Sequence, residues 1–138
     1  MKDKEEKLRR FNAMCKDTLM ETLEIEYIDL GDDFVVATMP VGKKVYQPDG
    51  ILNGGASLAL AESVGSPTSL LAIDPEKFSI RGIQMSANHI RSVKEGFVNA
   101  TSRFIHKGRT THVIEIRITD ANNKLISLCK LTNLILPK

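Results

Sequence analysis

The chain has no tryptophan, and its aromatic content is only 5%. Stacking platforms of the kind that hold single-stranded nucleic acid are therefore not expected. Cysteine is equally scarce: Cys15 and Cys129 lie far apart, with no Cys-x-x-Cys pair and no zinc-ligand spacing. Two reduced thiols and no metal site are the expectation. No apolar run approaches the ~18 residues of a membrane span. The first residues, Lys2-Asp3-Lys4-Glu5-Glu6-Lys7, are charged and lack the apolar core of a secretory signal. A cytoplasmic protein without membrane association follows as an expectation. The net charge of +2 and pI near 8.6 are too mild to argue for nucleic acid. Repeats, linkers and low-complexity segments are missing too, so 138 residues read as one domain with a sizeable core.

The stretch from Gln47 to Ile73 dominates what is present. Pro48-Asp49-Gly50 forms a turn, and Asn53-Gly54-Gly55 opens an apolar run long enough for a helix. Between Asn53 and Ile73 the only charge is Glu62, which shares a face with Leu58, Ala61, Gly65, Ser69 and Ala72. This carboxylate is thus expected on a buried side, where it needs a partner or a function. Asn53 is a good N-cap, and the first amides of the helix, at Gly54 and Gly55, have no acceptor inside it. Free amides at the positive end of a helix suit an acyl carbonyl or a developing oxyanion. Glu62 lies about eight residues further on, ~12 Å along the axis, so the two groups cannot meet within one helix. An antiparallel pair of helices from two subunits would bring them together. Ser66, one turn beyond Glu62, could orient the carboxylate or a water, or bond back to the Glu62 carbonyl.

Elsewhere the pattern predicts an amphipathic helix over 3–20, with Leu8, Phe11, Met14, Cys15 and Leu19 on one stripe. Strands are expected at Glu24–Leu30, Phe34–Val41, Phe78–Ile90, Phe97–Lys107, Thr110–Asp120 and Lys124–Leu136. Gly31-Asp32-Asp33, Gly96, Gly108 and Asn122-Asn123 mark turns. In the fifth strand His112, Ile114, Ile116 and Ile118 alternate with Val113, Glu115, Arg117 and Thr119. Pro67 cannot donate to the carbonyl of Ser63, so a kink or break is expected in the long helix. The element order gives an α+β class, a mostly antiparallel sheet wrapped on one long helix.

At this point a resemblance emerges. Gln47-Pro48-Asp49-Gly50, Asn53-Gly54-Gly55-Ala56, Leu60-Ala61-Glu62 and Ser66 resemble the mark Q-P-x-G-x-x-H-G-G-A-x-x-x-L-A-E-x-x-x-S. That mark belongs to hotdog-fold acyl-CoA thioesterases of the phenylacetate and hydroxybenzoyl- or dihydroxynaphthoyl-CoA type. Asn88-His89-Ile90-Arg91 with Lys94-Glu95-Gly96 is similar to the family's second block, N-H-x-R-x-x-x-x-G, and the likeness runs from about Leu19 to Pro137. It implies a hotdog fold and hydrolysis of an acyl-CoA, aromatic acyl groups being the common class in this branch, to free acid and CoA, with no cofactor beyond the CoA of the substrate. It implies Glu62 as base or nucleophile, Gly54 as the amide donor to the thioester oxygen, and Gln47 and Ser66 as groups holding the carbonyl or the water. Asn53 stands where the family has His and keeps an N–H donor. Sites would lie between subunits of a dimer or a dimer of dimers, a homotetramer.

His89, Arg91, Lys94, Arg103, His106, Lys107 and Arg109 form a second, basic group against a single acid, Glu95. Arg and Lys are the expected partners of the phosphates of CoA. By resemblance Asn88, His89 and Arg91 line the CoA region and His106, Lys107 and Arg109 lie near the phosphates. Met39, Met85 and Leu71 are candidates for the acyl pocket. Two other readings stay open: a hotdog hydratase or dehydratase, disfavoured by Asn53 and by a long helix without His, and an acyl-CoA-binding module without catalysis.

Overall fold

The computed structural model describes residues 2–138. Its elements are helix α1 (Lys2–Ala13), a short α2 (Leu19–Thr22), strands β1 (Glu26–Leu30) and β2 (Val35–Pro40), and the long helix α3 (Gly54–Leu70). Strands β3 (Phe78–His89), β4 (Phe97–Lys107), β5 (Thr111–Asp120) and β6 (Leu125–Pro137) follow. All six strands form one antiparallel sheet in the order β1-β2-β4-β5-β6-β3. The sheet wraps on α3, the arrangement expected of a hotdog fold.

Alternation in β5 works as its residues dictate. His112, Ile114, Ile116 and Ile118 are buried against the helix, while Arg117 faces outward and Glu115 pairs across the strands with Arg103 at 2.5 Å. The turns sit at Gly96 and Asn123, both at positive φ, and Asp120 Oδ1 accepts from the amides of Asn122 and Lys124 at 2.9 Å each. Helix α3 meets the sheet with Leu60, Ala61, Val64, Gly65 and Thr68. Gly65 allows the close approach there, since a Cβ would come within 2.6 Å of Leu131 Cδ2 and force that side chain to shift.

The N-terminal helix expected over 3–20 is broken in two. Asp17 adopts φ 60°, and Thr18 then caps α2, its Oγ1 accepting from the Met20 amide at 3.2 Å. The Glu21 carboxylate reaches back to the Asp17 amide at 3.3 Å. A Thr-x-x-Glu signature at 18–21 thus starts a new helix, and hydrophobic spacing alone hides it. Leu8 and Phe11 still pack inward, but Met14 and Leu19 are 64% and 62% exposed.

Pro67 does not break α3 either. The Ser63 carbonyl that it leaves without an amide accepts the hydroxyl of Tyr27 at 2.5 Å. Tyr27 itself is locked by Asn12, which bonds both its carbonyl (3.0 Å) and its amide (2.8 Å), and by an edge-on contact with Phe11. Burial raises the Tyr27 hydroxyl's pKa, keeping it a donor. Replacing Tyr27 with Phe leaves a helix carbonyl unpaired, at a cost of about 1–2 kcal/mol. Thermal unfolding should show a loss of roughly 2–6 °C; an unchanged Tm would mean that Pro67 is accommodated some other way.

A polar row crosses the otherwise apolar interior. His112 Nδ1 lies 2.8 Å from Ser69 Oγ, which also accepts from Asn133 Nδ2 at 2.8 Å. Burial above all, then the charges of Lys107 and His106, lowers the His112 pKa from its ordinary 6.5. The unfolded chain therefore takes up a proton first as the pH falls. His112's contribution is present in full above pH 6.5 and is lost progressively below it. The Tm should hold above pH 6.5 and fall as the pH is lowered below it, and His112→Gln should flatten that slope.

Candidate active site

Two cavities flank α3 within one protomer. The first, about 250 Å³, opens at the N-terminus of the helix and is lined by Gln47, Gly54, Ser57, His89, Arg91 and Ser127, among others. The Gln47 turn is fixed by its own backbone, the Gln47 amide donating to Ile51 (2.8 Å) and its carbonyl accepting from Gly50 (2.9 Å). Gly54 is the first residue of α3, so the helix offers its amide no acceptor. The His89 ring lies directly on it: a Cβ at Gly54 would fall 2.7 Å from His89 Nε2. The other ring nitrogen, Nδ1, is 2.8 Å from the hydroxyl of Ser127, which is buried. A side chain at Gly54 would push this imidazole aside.

The second cavity, about 400 Å³, lies midway along the helix. It is mainly apolar, bounded by Phe11, Met14, Leu19, Met20, Tyr27 and Leu70, with Glu62 and Ser66 in its wall. Glu62 is exposed in the protomer rather than buried as its helical face suggested. The correction has a simple cause. The arc that meets the sheet centres on Leu60, Ala61, Val64 and Gly65, and Glu62 sits at its border beside the edge strand β3, where Gly82 leaves room for it. The back-bonding considered for Ser66 is made instead by Ser63 to Ala59 (2.7 Å) and Thr68 to Val64 (2.8 Å).

Asn53 belongs to neither cavity. Its Oδ1 accepts from the Gly55 amide at 2.6 Å, an N-cap, and its side chain borders a third hollow with Lys44 and Tyr46. The basic residues also divide. His89 and Arg91 are at the first cavity, Arg91 donating to the Leu125 carbonyl at 3.0 Å. Lys107 and Arg109 lie on the β4–β5 hairpin, beside Ala72 and Asp74 past the other end of α3, and His106 packs on Gly108 there. Asn88 is exposed on β3 and borders neither the first nor the second cavity. Arg103 is committed to Glu115. Of the residues considered for an acyl pocket, Met39 is fully buried core, and none of Met39, Met85 and Leu71 borders the cavity at Glu62; Met14 and Met20 do. Sequence reasoning did not single out Ser57 and Ser127; helical spacing from Gly54 could have found Ser57, whereas Ser127 needs the strand register.

Among the described residues no three His, Cys, Asp or Glu side chains are grouped to hold a metal. Both cysteines are free and buried, and burial pushes the Cys129 thiol up to about 11 and raises that of Cys15. Neither is an activated nucleophile.

A six-stranded antiparallel sheet around one long helix, with glycine amides at its start and a carboxylate partway along, defines a hotdog-fold thioester hydrolase. Comparison with known proteins agrees. The chain belongs to the thioesterase superfamily, whose family model matches residues 49–127. It is 39% identical to the 1,4-dihydroxy-2-naphthoyl-CoA hydrolase of Escherichia coli K12 over 129 residues, 94% of each chain. It is likewise 39% identical to the proofreading thioesterase EntH of Cronobacter turicensis over 129 residues, 94% of this chain and 93% of that one. A crystal structure of mutant thioesterase PA1618 from Pseudomonas aeruginosa superposes with a TM-score of 0.93 at 38% identity, covering 95% of this chain and 94% of the other.

Proposed function

We propose that this protein hydrolyses an acyl-CoA thioester to the free acid and CoA, at a site completed by two subunits. The observation that carries the reading is the division of the chemistry within one chain. Gly54, Gln47 and His89 line one cavity, Glu62 and Ser66 the other. Strand β3 is twelve residues long, bonds to β6 on one side only, and exposes Ile83 (57%) in its middle. Such an edge is a template for a second copy. Antiparallel pairing of two β3 strands about Met85 and Ser86 would set His89 of one subunit against Gly82 of the other. Because His89 lies on Gly54 and Gly82 lies beside Glu62, that register brings the Gly54 amide to the partner subunit's Glu62. It also carries the His106–Arg109 hairpin toward the partner's Arg91, reuniting the basic residues for the phosphates of CoA.

In this arrangement the Gly54 amide, aided by Gln47, polarises the thioester carbonyl. Glu62 either activates a water held with Ser66 or attacks the carbonyl itself. Asn53 acts as cap and not as a donor to substrate. The acyl group occupies the apolar cavity between α3 and the N-terminal segment, where Phe11, Tyr27, Met14 and Met20 suit an aromatic ring. The name of the Escherichia coli relative, a 1,4-dihydroxy-2-naphthoyl-CoA hydrolase, favours aromatic acyl-CoA as the class. No cofactor takes part, and free, weakly acidic thiols suit the cytoplasm.

The test is release of free CoA thiol from a panel running from benzoyl- to long-chain acyl-CoA. Turnover of aromatic esters above aliphatic ones is expected. Binding of the esters with no turnover of any would replace hydrolysis with a binding role.

A further inference from the structure

Gly82, Asn133 and His112 are direct cross-strand partners on β3, β6 and β5, and form one row beneath α3. Asn133 is fully buried. Its Nδ2 donates to the Gly65 carbonyl at 3.3 Å and to Ser69 Oγ at 2.8 Å. Ser69 Oγ in turn lies 2.8 Å from Nδ1 of His112. With both amide hydrogens taken, the orientation of Asn133 is fixed and its Oδ1 must point the other way. That oxygen is buried and has no hydrogen-bond partner. An orphaned buried acceptor is costly and calls for an explanation.

Its surroundings supply one. The point where a Gly82 Cβ would sit is 3.5 Å from Asn133 Oδ1 and 3.5 Å from Glu62 Oε1. Both acceptor oxygens thus border the space that the glycine leaves open. They can bond only when a proton lies between them, and a carboxylate that takes a proton from water supplies it. We infer that Asn133 is a positioning residue for Glu62: its amide oxygen receives the protonated carboxyl across Gly82, which makes Glu62 a general base. This deepens the thioesterase reading and rests on it. In the step implied, Glu62 takes a proton from water as the water oxygen bonds to the thioester carbon. The C–S bond then breaks, and the same proton passes from Glu62 to the departing thiolate. A nucleophilic Glu62 would form an anhydride and give Asn133 no proton to accept.

The experiment uses the full chain with Asn133→Leu and Gly82→Ala. Alanine at 82 makes only ordinary contacts, 3.4 Å to Leu131 and 3.5 Å to the two oxygens, so folding survives while the gap is filled. Both variants should keep KM within about twofold and the parent's subunit assembly and lose kcat by at least ~10-fold, with the Tm of Gly82→Ala near the parent's. Single turnover in ¹⁸O-water should label the acid product and leave Glu62 unlabelled. Parental kcat in both variants, alongside an inactive Glu62→Gln, would overturn the inference and leave the thioesterase reading standing. Label in Glu62 would overturn the base role. Should the parent turn over no ester, a crystal structure at acidic pH decides: a Glu62 carboxyl bonded to Asn133 Oδ1 supports the pairing, and another partner for that oxygen ends it.

Discussion

Glu62→Gln is expected to lower kcat on the best acyl-CoA by at least ~100-fold, about 2.7 kcal/mol of barrier, with KM nearly unchanged. Glutamine keeps the shape of the side chain in the cavity wall but can neither take a proton nor attack a carbonyl. Because Glu62 is exposed in the protomer and holds no ion pair there among the described residues, the substitution does not disturb the core. A loss confined to kcat therefore reports the chemical step. Turnover equal to the parent's would remove Glu62 from the mechanism, whatever the fold.

A comparable loss should follow from a residue that touches no substrate. Ile83 lies on the free β3 edge, and in the register about Met85 and Ser86 an aspartate there sets an unpaired charge against the partner strand. Burying an unpaired charge at an interface is strongly unfavourable. Ile83→Asp should elute as a monomer, retain a folded spectrum, and lose at least ~100-fold in turnover because no complete site remains. A monomeric variant with parental activity would show that each chain carries its own site.

Much of the fold is legible in local pattern. The alternation of β5, the turns at Gly96 and Asn123 and the start of α3 at Asn53 all follow from period, turn chemistry and capping. What stays hidden depends on neighbours distant in sequence. Helix α3 is apolar on nearly every side, so periodicity cannot tell which arc meets the sheet, and Glu62 is misassigned to the buried face. Nothing near Pro67 announces that Tyr27, 36 residues before Ser63, satisfies the Ser63 carbonyl. The basic residues from His89 to Arg109 look like one cluster because they are close in sequence. Strand β4 runs for eleven residues, ~37 Å at ~3.4 Å per residue, and carries the later ones to the far end of the sheet. Ser127 and Asn133 become candidates only once the register of β6 against β3 is known.

The shared site is the central claim, and subunit mixing tests it most directly. Glu62→Gln and Gln47→Ala, each inactive alone, are unfolded together at equal amounts and refolded so that chains reassort. If Gln47 and Glu62 of one site come from different subunits, half the dimers are mixed and one of their two sites has both residues intact. Activity should return to about a quarter of the parent's. If both residues serve a site within one chain, every site carries a defect, and the mixture stays as inactive as its components.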